Sequence, residues 1–161
     1  MRLNPFRKQK SQENRTPIST GDRKLDELSR QSDRAQARFR KHLDCIEPIE
    51  HWYKLRDVDP KARSKAIAAC ERQIAMSRDA IAAWHEWGRL NGEILRHLGD
   101  KGPHQPWGVP SHTGFRQLAI IRENDGDYAE AIRLCQQART DGWAGDWDKR
   151  IARLETKTRK G

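Results

Sequence analysis

Histidine and cysteine are the residues here most able to carry chemistry, and their spacing in this chain argues against most of it. Imidazole titrates near neutrality and binds metals well, so His85, His97, His104 and His112 are the first candidates. None has a second ligand at metal-binding spacing, and no His-Glu-x-x-His is present. His85-Glu86 precedes Trp87, a setting that suits packing equally well. His112 stands just before a helix start and reads as a group that bonds backbone in the turn. Three cysteines, Cys45, Cys70 and Cys135, are too few and too scattered for a disulfide framework or a paired zinc motif. Cys70 and Cys135 read as small core residues, because a reactive thiol needs exposure and a lowered pKa. There is no glycine-rich phosphate loop, nucleophile elbow or paired-carboxylate motif. No catalytic residue, metal or cofactor is assigned on this reading, and an enzyme is the least favoured class.

The elements that would position such residues are helical. Hydrophobic residues make up 35% and charged residues 34% of 161 positions. That balance suits helices with one apolar stripe better than a sheet covered on both faces. The expected fold class is all-α, built of antiparallel helical hairpins, with a flexible basic N-terminal arm at 1–18 and a single domain over 19–161. No stretch nears the roughly 20 apolar residues of a membrane span, the first ten residues lack the apolar run of a secretory signal, and the expected location is the cytoplasm.

Ser19 with Asp22 reads as a capping box for a helix over 21–46, whose seam is Leu25, Leu28, Ser32, Ala35, Phe39, His42 and Ile46. Pro48 breaks that pattern, and a short helix follows at 49–57. Asp59-Pro60 reads as an N-cap followed by proline in the first turn, opening a helix from Pro60 to Met76 that buries Ala62, Ala66, Ile67, Cys70 and Ile74. Ser77 would cap the next helix, with Ile81, Trp84, Gly88, Asn91, Leu95 and Leu98 on its stripe and Gly99 as a left-handed stop. Residues 99–112 hold three prolines and Trp107 and read as a long loop, a kind that is often functional. Helices at 113–124 and 127–140, and a last one at 146–157 with Trp147, Ile151 and Leu154 on one face, complete the chain.

Phe115, Leu118, Ala119, Gly126, Tyr128, Ala131 and Ala138 are spaced as a large residue, a leucine, a small residue, a turn glycine, an aromatic and two small residues. In its order of residue types this stretch, 113–140, resembles a tetratricopeptide repeat. Arg122 stands where that family usually has an aromatic, and Trp143 where it has a closing proline. A shift of 65 residues sets Ala66-Ile67-x-x-Cys70 on Ala131-Ile132-x-x-Cys135 and marks 50–76 as a candidate degenerate unit, with 146–157 as the polar-backed cap. The resemblance implies a concave surface lined by Thr113, Arg116, Ile120, Glu123 and Asn124. Related repeats grip a carboxylate there with Lys or Arg followed one turn later by Asn; Arg116 suits the first part, but Ile120 replaces the amide. A solvated helix face is the plainer alternative. Trp107 and Trp143 are candidate exposed anchors.

The net charge of +9 is carried at the ends. Residues 1–44 hold 12 Lys/Arg against 6 Asp/Glu, residues 145–161 hold 6 against 3, and the middle is balanced. Arg2, Arg7, Lys8, Lys10, Arg23, Arg30 and Arg34 are the candidates for contact with an anion or nucleic acid. Two functions remain. The first is a protein-interaction module that holds a partner segment on the helical pair. The alternative is a nucleic-acid-associated accessory protein that uses its basic termini.

Overall fold

The computed structural model describes residues 19–160; the arm expected at 1–18, with Arg2, Arg7, Lys8 and Lys10, lies outside them. Seven helices follow in order: α1 (Arg23–Leu43), α2 (Ile46–Lys54), α3 (Ala62–Ala75), α4 (Ser77–His97), α5 (Thr113–Asn124), α6 (Tyr128–Thr140) and α7 (Trp147–Lys160). Among the described residues there is no strand beyond one isolated bridge, Ser111 with Ala144. No described helix is long and apolar enough to cross a membrane.

Leu28, Ser32, Ala35, Phe39 and His42 alternate steps of four and three, which puts them on one side of a helix. All five are buried in α1, against α4. Asn91 of α4 donates to Ser32 Oγ across that seam (3.3 Å), so the polar seam position has a partner. The two helices run antiparallel. Asp22 at the start of α1 lies 2.6 Å from His97 Nε2 at the end of α4, whereas Arg38 donates to Asp79 and Glu86 near its beginning. These ion pairs are exposed and add little, so the apolar seam holds the pair together.

A second group of helices packs beside this pair. α2 lies on α3, α5 on both α3 and α2, α6 on α5, and α7 on α6. Small residues permit the close approaches: Ala62, Ala66, Ala69 and Cys70 on α3, and Ala119, Ala131 and Ala138 on the α5–α6 pair, are all buried. A Cβ on Gly114 would come within 3.0 Å of the Cys70 carbonyl oxygen, so glycine sets how closely α5 meets α3. Gly126 turns α5 into α6 with φ +77°, and Asp127 N–H donates back to Arg122 C=O (2.9 Å), which closes the helix end.

Several boundaries differ from those the sequence suggested. Pro48 falls inside α2, which starts at Ile46; its ring occupies the first turn, where the backbone N–H has no helical partner to lose. The cap of α1 is Asp22, which accepts from Lys24 and Leu25 N–H, while Ser19 and Thr20 reach forward to Asp26. Asp59 accepts from Lys61 N–H in a turn that delays α3 to Ala62. Ser77 does not cap α4 but is buried as its first residue. Leu95 and Leu98 are exposed (45% and 63%), because the seam against Leu28 and Ala35 of α1 runs through Trp87, Leu90 and Ile94. The final helix is longer than 146–157, with Trp147, Ile151 and Leu154 inward as expected.

Candidate functional site

Where α1 ends, α3 meets α4 and α5 begins, five polar side chains are buried together. Gln73 donates from its amide to the His42 carbonyl (3.0 Å) and accepts from Gly114 N–H (2.6 Å). His112 Nδ1 accepts from Phe115 N–H (3.1 Å), so it caps α5 from its N-terminal side. The His42 ring stacks on Trp143 (4.8 Å, 13°), with His112 edge-on to both. Trp143 Nε1 donates to Ser77 Oγ (2.7 Å), and Ser77 donates to Asp141 (2.7 Å), whose side chain is only 2% exposed. Trp143 O in turn accepts from Trp147 Nε1 (2.8 Å).

A serine, two histidines and an aspartate in one place resemble the parts of a hydrolase. The geometry does not make one. The Ser77 O–H is committed to Asp141, neither imidazole bonds to it, and Ser77, His42 and His112 are all sealed from solvent. Burial pulls His42 down to about 4, and burial together with the neighbouring His42 pulls His112 down to about 3. Both rings are therefore neutral at pH 7. The arrangement acts as a structural lock joining α1, α3, α4, α5 and the end of α6. Trp143 belongs to this lock and is 3% exposed, so it is not the exposed anchor its loop position suggested. Cys70 and Cys135 are buried thiols that burial drives up to about 12 and about 11, unreactive as core residues should be.

The candidate partner-binding residues divide. Thr113, Arg116, Ile120 and Asn124 follow one another along the solvent side of α5, with Arg116 and Asn124 exposed. Glu123 is not with them. It is bound by Arg153 and Lys157 of α7 (2.7 Å each) and keeps only 12% of its side chain exposed. Burial alone would raise its pKa; the two cations more than reverse that and hold it low. Trp107 lies against α4, 38% exposed, beside Trp84 and Trp87. On α1, Arg23, Arg30 and Arg34 are exposed, and Arg30 and Arg34 share Glu27 (2.6 and 3.7 Å). Among the described residues no three His, Cys, Asp or Glu side chains converge as a metal site. No protein-family model, curated protein or solved structure matches the chain.

The buried pair of histidines has a measurable consequence. An unfolded chain takes up protons near 6.5 that the folded lock refuses until about 4 and about 3. Stability from these rings is complete above 6.5 and falls as pH drops below it, by about 1.4 kcal/mol per pH unit for each ring. We expect urea midpoints to fall steadily between pH 6.5 and 5, a window above most carboxylate titration. His112→Asn, whose amide oxygen can still accept from Phe115 N–H, should remove about half of that slope. A midpoint that stays flat across the window would refute the lock.

Proposed function

We propose that this chain is a small protein-interaction module, similar to a tetratricopeptide stack, that holds a partner segment on the open side of α5 in the cytoplasm. The observation that supports it most is the order of packing. α2 with α3, and α5 with α6, each pack as sequential neighbours, α5 also meets α2 and α3, and α7 follows on α6. In a stack of helical pairs each pair buries its face on the next, and the first helices of successive pairs line one side. The exposed residues of α7, among them Lys149, Ala152, Arg159 and Lys160, include no large apolar group, which suits an end cap.

On this reading Thr113, Arg116, Ile120 and Asn124 meet the partner, and Glu123 works from behind by tying α7 to α5. Ile120 offers a half-buried apolar contact between polar neighbours, a mixture suited to a helix or extended peptide laid along the face. The three free thiols fit a reducing compartment. Affinity purification from the source organism should recover a partner with wild-type protein, and Arg116→Glu with Asn124→Arg should lower its yield at least tenfold while helix content is unchanged. Equal recovery by the variant would remove this face from the account.

A second reading, a nucleic-acid accessory role, is favoured by one feature. Arg23, Arg30, Arg34 and Lys41 are seven, four and seven residues apart, so they share a line on the solvent side of α1 about 27 Å long at about 1.5 Å per residue. Oligonucleotide anisotropy titrations distinguish it. Binding through this line should weaken steeply between 50 and 200 mM salt on the general scale for phosphate contacts, and Arg30→Gln with Arg34→Gln should flatten the salt slope by about 2. No binding at low salt would discard it.

A further inference from the structure

The segment between α4 and α5 is irregular, yet it follows a definite course back along α4. His104 lies against Gly92, and Trp107 lies against Gly88 so closely that a Cβ there would meet the indole at 3.3 Å. The Trp107 ring stands edge-to-face on Trp87 (5.0 Å, 85°) and tilted on Trp84 (5.2 Å), and Trp84 in turn contacts Phe39 of α1 (4.9 Å). Beyond His104 and Trp107, Val109 packs on the main core and Pro110 is half-buried. Pro103, Pro106 and Pro110 each fix one backbone angle and favour an extended course.

What holds this strap is side-chain seating alone. Among the described residues, no backbone–backbone hydrogen bond ties residues 101–109 to the body; the first is Ala144 N–H to Pro110 C=O (3.2 Å). The seat is also imperfectly filled. Trp84 Nε1 and His104 Nε2, like His42 Nδ1 and His112 Nε2 of the lock, are buried without a hydrogen-bond partner, and a buried polar group left so is unfavourable. Trp107 keeps 38% of its surface in water. The shape of the groove is therefore satisfied while its polar groups are not.

We propose that the face of α4 formed by Trp84, Trp87, Gly88 and Gly92 is a docking groove for an extended proline-rich peptide segment carrying an aromatic side chain, with residues 101–110 as its occupant in cis. The chemistry of the ligand is read from the strap itself: an indole over a glycine gap between two further indoles, presented by an irregular segment with three prolines. Aromatic-lined grooves bind such segments because the backbone is already extended and loses little freedom on binding. A tethered occupant has a high effective concentration, so the wild-type groove is closed to a competitor until the strap lifts. This groove is on α4 and is independent of the α5 face.

The test uses the full chain and a labelled peptide of residues 101–110. Trp107→Ala, with its helix content verified by circular dichroism, should bind the peptide saturably and at least tenfold more tightly than wild type does. A peptide with the same Trp107→Ala change should not bind, and adding Gly88→Leu to the protein should abolish binding. Absence of saturable binding to the folded variant, or equal binding of the tryptophan-free peptide, overturns the proposal. A Trp107→Ala protein that elutes as a dimer assigns the groove to a second copy and overturns it as well. Should that variant fail to fold, wild-type protein with a large excess of the peptide decides. Saturable binding that Gly88→Leu abolishes supports an occupant that lifts, and no binding at any peptide concentration refutes it.

Discussion

The side-chain amide of Gln73 is the contact on which the rest of the arrangement depends. It is completely buried, gives a hydrogen bond to the carbonyl of His42 and takes one from the backbone N–H of Gly114. One side chain on α3 therefore fixes where α1 stops and where α5 starts. A buried amide without these partners would be strongly unfavourable, and with them it specifies a single register. Leucine of similar size would fill the space without telling α1 and α5 where to meet. The neighbouring groups extend the same logic: His112 answers the next free N–H of α5, and Ser77 stands between Trp143 and Asp141.

From that lock two kinds of packing spread. On one side α1 and α4 form an antiparallel pair with a heptad seam that ends at Leu28 and Ile94. On the other, α2, α3, α5, α6 and α7 follow one another through alanine-rich contacts that bring helices close. The strap crosses between the two groups and reaches the lock at His112. α4 thus takes part in both, with one side against α1 and another under Trp107. Exposed ion pairs such as Arg38 with Asp79 and Glu86, or Arg63 with Asp125, lie over these joins; exposed as they are, they refine alignment more than they stabilise it.

Helix type and most core positions were legible from spacing. Leu28, Ser32, Ala35, Phe39 and His42 of the α1 seam, Cys70, Cys135 and the Trp147, Ile151, Leu154 stripe of α7 are buried where periodicity put them, whereas Leu25 is half-buried and Ile46 opens α2 instead of closing α1. Spacing failed on α4, which faces α1, the strap and the lock at once; a helix buried on several sides has no single stripe to read. Leu95 and Leu98 were lost for that reason. Of the lock, His112 was legible as a group bonding backbone ahead of α5 and His42 as a seam position, but the partners that join them were not. Gln73 is a polar residue that spacing sends to the surface and Ser77 read as a helix cap; only the meeting of His42, Gly114, Asp141 and Trp143 from distant parts of the chain gives them buried partners. Of the candidate α5 face, Thr113, Arg116, Ile120 and Asn124 lie along one side, while Glu123 turns toward cations on α7 that no local pattern reveals.

The most direct measurement is native-state hydrogen exchange at Gly114 and Phe115, followed residue by residue by NMR. First-turn amides of a helix have no intrahelical partner and ordinarily exchange fast. Held by Gln73 and His112, these two should instead exchange only with global unfolding, as slowly as the most protected amides of α3. Exchange at the rate of an open helix end would contradict the account, because the junction would then hold nothing in place.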